Sequence, residues 1–307
     1  MKKLNLALVL LCMIFAALIR PMNSAAQTPE KDGPKALRIG IVSETNQREL
    51  ETRFRGFARY LAHRLKVGPE IEGEIVFAPT TFELAKLFEQ KQVELYMESP
   101  YPTFVINELH QVGKLLLRRW KYGMAQYHGL VFTKRDAGIK RVNDLQGKLI
   151  AFEDRESTSG FYLPKFFLQR HGLKLADKSR FDPYGSATEV GYIFAHSQDN
   201  LLDWVLTRKV AAAAFSNSDY ESLNAKQKSE ITILAKTEEV PRHFLSVRRD
   251  LPAAWVAQLK QILIPMHNDP EGRMILLKAD NTTKFDELPG GVENMRKRLT
   301  EIFLEGG

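Results

Sequence analysis

Three consecutive hydroxyl side chains, Ser157-Thr158-Ser159, followed by Gly160, are the residues of this chain best suited to gripping a ligand. An apolar run, Leu149-Ile150-Ala151-Phe152, reads as a buried strand ahead of them; Glu153 to Glu156 make a polar turn, and a helical pattern follows. Hydroxyl donors and free backbone N–H groups collected at a helix start favour a phosphate-like anion, because those amides lack intrahelical partners and face the positive end of the dipole. The same residues also suit an ordinary serine cap on a buried helix. Pro164 falls inside the helical run, so regular helix is predicted to begin near Leu163, leaving the hydroxyls on an open loop.

Other chemistries are poorly provided for. The serines lack an adjacent base, the histidines are scattered, and the single cysteine, Cys12, lies in an N-terminal apolar segment. That segment, Met1-Lys-Lys, then Leu4 to Ile19, then Asn23-Ser-Ala-Ala26, has the three regions of a secretory signal peptide with cleavage before Gln27, which implies export. The rival reading is an uncleaved anchor, for which the apolar run is short. Removing residues 1–26 takes three of the 44 basic and none of the 37 acidic residues, leaving a net charge of +4. This mild excess attracts anions, while the lack of a clustered basic run argues against nucleic acid or stable membrane insertion.

The elements that must position the hydroxyls alternate. Strands are predicted at Leu37 to Val42, Ile75 to Ala78 and Leu95 to Met97, with a helix carrying Leu50, Phe54, Phe57, Leu61 and Leu65 on one face between the first two. Thr80-Thr-Phe-Glu83 is a capping box opening a second helix. Such alternation predicts an α/β fold with mostly parallel sheets flanked by helices and ligands at the carboxyl ends of strands, so Ser43 to Asn46, Pro79 to Thr81 and Glu98-Ser-Pro-Tyr101 are candidate turns. Lys114 to Trp120 and Gln126 to Thr133 read as strands leading away from this first set. A second set follows: the hydroxyl strand and its helix to His171, a polar stretch at Asp182-Pro-Tyr-Gly185, a helix over Asn200 to Thr207, strands at Val210 to Phe215 and Ile231 to Ala235, and a capping box at Ser218-Asp-Tyr-Glu221. A returning strand at His243 to Val247 and helices from Pro252, Glu271 and Val292 close the chain. The arrangement implies two lobes, 36–128 with 240–307 and 129–239, crossed twice by the chain, with a cleft between them.

Asp144-Leu-x-Gly-Lys148, Ala151-Phe152, Ser157-Thr-Ser-Gly-Phe161 with Pro164, Glu94-Leu-Tyr-Met-Glu-Ser-Pro-Tyr101 and Phe244-Leu-Ser-Val-Arg-Arg-Asp-Leu-Pro252 together resemble the periplasmic phosphonate/phosphite-binding proteins of ABC transporters. The resemblance runs over about residues 36–305, and its Ser-Thr-Ser-Gly segment is the specific part. It implies a type II two-lobe binding fold closing on a small phosphorus oxyanion, with no cofactor, no catalysis, a transporter permease as partner and a monomeric state. A sensor that presents the same ligand to a membrane kinase is the alternative. Carried over, Ser157, Thr158 and Ser159 are the anion ligands. The histidine usual in the family falls on Gln198, the acidic residue after the next strand falls near Ser218, and the carboxylate at the second crossover falls near His243, after Arg242. Glu98 stands where aminoalkylphosphonate binders place an aromatic. The half of the pocket that would hold an ammonium is therefore rewritten, which argues against 2-aminoethylphosphonate.

Around these, Ser99 and Tyr101 line the candidate turn. Glu98 beside an anion requires a neutralising partner such as Arg155 or Arg242. Tyr96 and Tyr101 suit either a pocket wall or the core. Phe161, Tyr162, Phe166 and Phe167 read as helix packing, with Phe161 a candidate for the cleft mouth, and Arg118, Arg119 and Lys121 read as the solvated end of their strand.

Overall fold

The computed structural model describes residues 34–43, 46–68, 70–178 and 187–304. The signal segment and the Asp182-Pro-Tyr-Gly185 stretch lie outside the described residues. The chain opens with β1 (Ala36–Val42), α1 (Gln47–Arg64), β2 (Glu72–Ala78), α2 (Thr81–Glu89) and β3 (Leu95–Glu98). Phe54, Phe57, Ala58 and Leu61 recur at helical spacing on α1 and are buried with Leu37 and Ile39 of β1. Each of the phenylalanine, leucine and isoleucine side chains contributes about 1.5–3 kcal/mol by leaving water. At Gly73 of β2 a Cβ would meet the Ala58 carbonyl oxygen at 2.2 Å, so glycine lets the strand approach the α1 backbone.

The short α3 (Pro100–Phe104) continues into a π-helical turn, Val105–Leu109, and β4 (Gly113–Lys121) returns along the sheet. The predicted strand over Gln126 to Thr133 is two: β5 (Gln126–Tyr127) crosses between lobes and β6 (Gly129–Lys134) enters a second sheet, with His128 between them. That sheet continues with β7 (Leu149–Phe152), α4 (Leu163–Arg170), β8 (Leu175–Asp177), β9 (Val190–Phe194), α5 (Gln198–Leu206), β10 (Ala212–Ser216), α6 (Asn217–Ser222), α7 (Ala225–Glu230) and β11 (Ile231–Lys236). β12 (Val240–Pro241) crosses back beside β5, and β13 (His243–Arg248), α8 (Ala253–Leu263), α9 (Pro270–Lys278), β14 (Thr282–Asp286) and α10 (Gly291–Phe303) complete the first lobe. Among the described residues, no helix is long and apolar enough to cross a membrane.

The first sheet has the order β14-β4-β13-β3-β1-β2 and the second β11-β6-β10-β7-β9-β8. Each is parallel at one end and antiparallel at the other: β1 runs parallel to β2 and β3, while β13 is antiparallel to β3 and β4. β5 and β12 pair antiparallel, Tyr127 opposite Val240, so both crossings form one ribbon. A cluster containing Phe104, Tyr127, Leu163, Phe166, Val240, Phe244, Leu299 and Phe303 joins the two lobes behind that ribbon.

β8, β9 and β14 escape the periodicity reading. β8 and β14 are short and carry polar residues, and β9, Val-Gly-Tyr-Ile-Phe, is apolar without alternation because both its faces are covered. The capping box predicted at Ser218 to Glu221 sits two residues earlier. Ser216, the last residue of β10, accepts from the Asp219 amide at 3.2 Å, and Asp219 Oδ2 accepts from the Ser216 amide at 2.9 Å. A serine closing a strand is already extended, as an N-cap must be.

Candidate functional site

The hydroxyl segment does not form an open loop. Thr158–Tyr162 is a π-helical turn, closed by Tyr162 N–H donating to Ser157 O at 3.1 Å, and it runs directly into α4 at Leu163. Pro164 tolerates this because its missing N–H falls in the first turn of α4. Ser157 is the N-cap: its Oγ accepts from Gly160 N–H at 2.9 Å and donates to Glu153 Oε2 at 2.7 Å. The turn is tight, since a Cβ at Gly160 would meet Glu153 Oε2 at 2.6 Å and Ser157 Oγ at 2.8 Å.

Thr158 faces the other lobe. Thr158 Oγ1 accepts from the Tyr101 amide at 2.9 Å and donates to Ser99 Oγ at 3.0 Å, and its residue is 1 % exposed. Ser99 is the N-cap of α3 but makes no side-chain cap within its own helix, so a threonine of the second lobe satisfies an orphan amide of the first. Glu156 does the same for α2: its carboxylate accepts from Thr81 N–H at 3.1 Å and Thr81 Oγ1 at 2.7 Å. Tyr101 stacks on Tyr162 with ring centroids 3.5 Å apart, and both pack on Phe303. Ser159 lies with Thr158 beside the hydroxyl of Tyr127, whose pKa burial pushes up to about 12.

The facing wall of the first lobe is charged. Arg119, Lys121 and His243 come from adjacent strands, with His243 opposite Arg119 in register. The predicted solvated strand end is instead enclosed: Arg119 is 2 % exposed and donates through Nε to Thr282 Oγ1 at 2.8 Å and through Nη2 to Ala279 O at 3.0 Å. The Asp280 carboxylate takes Lys121 Nζ at 2.6 Å and Arg119 Nη2 at 3.4 Å. Arg118 pairs separately with Asp286 at 2.7 Å.

Two buried carboxyls lie nearby, Glu98 in the field of Arg119 and Lys121 and Glu153 in that of Arg242. Burial pushes Glu98 up to about 7, against the pull of the Ser99 amide and of Arg119 and Lys121. Burial pushes Glu153 to about 7 as well, against the hydrogen bond from Ser157. His243 is held well below its ordinary value by burial and by Lys121, Arg119 and Arg242, so its imidazole is neutral, and its Nδ1 is buried without a partner. The cations in reach of Glu98 are therefore Arg119 and Lys121. Arg155, expected as its partner, instead pairs with Asp177 at 2.9 Å and lies over the Phe194 ring.

Of the residues singled out from sequence, Ser99, Tyr101 and Thr158 come into direct contact. Ser157 is committed within its own turn, and Glu98 and His243 stand on neighbouring strands of the charged wall. Ser218 Oγ lies 2.7 Å from Ser216 Oγ inside the α6 cap. Gln198 Nε2 donates to Asp219 O and Ser222 Oγ, both at 3.2 Å, and so ties α5 to α6. Tyr96 is a core residue with its hydroxyl 3.1 Å from Asn107 Oδ1. Phe161 packs among Phe152, Tyr192 and Phe194 and is 5 % exposed, which removes it from the cleft mouth. Glu153, Glu156 and Tyr127 were not singled out, although the first two directly precede the hydroxyl run.

The family described as "ABC transporter, phosphonate, periplasmic substrate-binding protein" matches residues 39–288, most of the chain. The chain belongs to this family. Its function is accordingly that of a phosphonate-type periplasmic substrate-binding component of an ABC transporter. No relative was found among curated protein sequences. XAC2383 from Xanthomonas citri, solved bound to ATP, has a similar fold at 22 % identity and a TM-score of 0.81, covering 89 % of this chain and 98 % of that one. PhnD1 from Prochlorococcus marinus, in complex with methylphosphonate, is similar at 18 % identity and a TM-score of 0.68, covering 89 % and 98 %. The aliphatic sulphonate binding protein SsuA from Escherichia coli is a more distant likeness, at 15 % identity and a TM-score of 0.55, covering 89 % and 92 %.

Proposed function

We propose that this family member captures a small phosphorus oxyanion, a phosphonate, phosphite or phosphate-like group, between lobes 36–128 with 240–307 and 129–239, and delivers it to a permease without covalent chemistry. In this reading the N-terminal segment is a cleaved signal peptide and the mature protein works in the periplasm. The anion sits at the Thr158–Ser159 turn, with Ser157 holding the turn's shape and Ser99, Tyr101, Glu98 and His243 completing the wall across the cleft. Ser218 and Gln198 support the second lobe's side through the α6 cap.

The observation that carries this reading is the position of the Thr158 hydroxyl, which touches both Ser99 and Tyr101 of the opposite lobe. A group bound there contacts both lobes at once, and closing over it removes the charge-assisted hydrogen bonds from competing water. The similar folds solved with ATP and with methylphosphonate share a phosphorus oxyanion, so a ligand panel should run from phosphite through methylphosphonate to a nucleotide.

Thr158→Ala tests the assignment. The Thr158 hydroxyl holds Ser99 and the Tyr101 amide against the turn, so its loss should misplace that wall and weaken a charged ligand by about 1.5–3 kcal/mol, or roughly one to two decades in Kd. Titration calorimetry on the panel should show that weakening for whichever oxyanion raises the wild-type melting temperature. Unchanged affinity in the variant, or a wild-type protein that binds no member of the panel, would remove the cleft assignment.

A further inference from the structure

The second crossing carries an unusual side chain. Arg242 follows Pro241 of β12 and is tied to the first crossing by its amide, which donates to Ala125 O at 2.9 Å. The residue is only 6 % exposed, yet its Nε has no hydrogen-bond partner, and among the described residues no carboxylate lies within ion-pair distance of it. Its guanidinium lies 4.4 Å over the ring of Tyr127 and 5.9 Å from that of Tyr122. Aromatic faces ease the burial of a cation but accept none of its five N–H groups in the plane of the fork.

The surroundings do not supply the missing charge. Arg119 and Lys121 share the single carboxylate of Asp280, and both feel Arg242 as a like charge. Glu153, an acid in field range of Arg242, is already engaged with Ser157 at 2.7 Å. Tyr127 meanwhile forms a common wall, with the guanidinium over its ring and the Thr158 and Ser159 hydroxyls at its OH. The open donors of Arg242 therefore belong to the same small site as the hydroxyl turn. A buried guanidinium left unpaired is costly, and a ligand that brings negative charge removes that cost on binding.

We infer that Arg242 is the residue that sets the ligand's charge: the cleft takes an oxyanion with two negative charges in preference to a singly charged one of the same shape, and disfavours one bearing an ammonium group. This rests on the oxyanion reading above and adds a selectivity beyond that of the hydroxyls, because a neutral donor distinguishes charge states less sharply than a guanidinium does.

Methylphosphonate and methanesulfonate have the same shape but carry two charges and one at pH 8.5, and 2-aminoethylphosphonate adds an ammonium. Calorimetry on the wild-type protein should rank methylphosphonate at least tenfold tighter than each of the other two. Arg242→Gln should weaken methylphosphonate thirtyfold or more and bring its affinity to within about threefold of methanesulfonate, while Thr158→Ala weakens both and keeps their ratio. The ligand-free melting temperature of Arg242→Gln should equal or exceed that of wild type, whereas an arginine kept for structure alone would lower it. Equal wild-type affinity for methylphosphonate and methanesulfonate overturns the inference without any variant, as does an unchanged ratio in a folded Arg242→Gln protein. A wild-type protein that binds neither these ligands nor phosphate nor ATP instead sinks the oxyanion reading itself, and this inference with it.

Discussion

Two regions where the lobes meet treat their polar groups in opposite ways. At the seam formed by Glu156 and Thr158, each polar atom meets a complement on the other lobe, with helix amides of the first lobe capped by side chains of the second. At the corner formed by Arg119, Lys121, Arg242 and His243, Arg119 and Lys121 share the Asp280 carboxylate, and buried nitrogens of Arg242 and His243 go without partners. The polar atoms of the seam are matched across the lobes without a ligand. The corner is incomplete, and under the proposed function it is the part that an anion would complete.

The contrast can be broken most forcefully at Asp280. Asp280→Asn leaves Arg119 and Lys121 buried without a carboxylate, and removing one member of a buried ionic group costs about 3–5 kcal/mol. A fall in melting temperature on the order of 10 °C is expected by calorimetry. A loss under about 2 °C would mean that water already neutralises the corner.

Next in size is the response to pH. Glu98 and Glu153 both sit near 7 against a usual 4.5, because burial disfavours their charged forms. The folded protein thus holds these protons more tightly than the unfolded chain does. Their contribution to stability is full below about pH 4.5 and is lost as pH rises through about 7. Denaturant melts at pH 5 and pH 8 should differ by on the order of 1–3 kcal/mol per carboxylate, and Glu98→Gln with Glu153→Gln should flatten the slope. A wild-type slope of the opposite sign would show that both acids stay ionised and that the nearby cations outweigh burial.

The smallest effect belongs to the seam. Glu156→Gln keeps a hydrogen-bond acceptor but removes the negative charge from the start of α2, which is worth roughly 0.3–1 kcal/mol. The ligand-free closed population should fall by a few-fold at most, visible as a larger radius of gyration in solution scattering while the melting temperature hardly moves. An unaltered radius would mean that the Tyr101–Tyr162 stack and the apolar cluster behind the crossings hold closure unaided.

How much of this was legible in the sequence depended on the range of the interaction concerned. The Thr80 cap, the apolar stripe of α1 and the start of α4 at Leu163 all follow from neighbours within a few residues, and all appear where periodicity and capping rules place them. Ser216 was missed as a cap because Ser218 offers the same local pattern, and only the end of β10 distinguishes them. Arg119 and Lys121 were misjudged because a Lys/Arg-rich strand end looks solvated until β14 and Asp280, some 160 residues away, are laid beside it.

The hydroxyl run, its strand and its helix were written into one short stretch, since capping, turn chemistry and hydrophobic period act over a handful of residues, and that stretch alone pointed to an anion. Which hydroxyl reaches across, which acid caps a helix of the other lobe, and that Arg242 is buried without a counter-charge arose only when two lobes and two chain crossings came together. Charge and hydrogen-bond satisfaction are sums over everything nearby in space, and no window along the chain contains those neighbours.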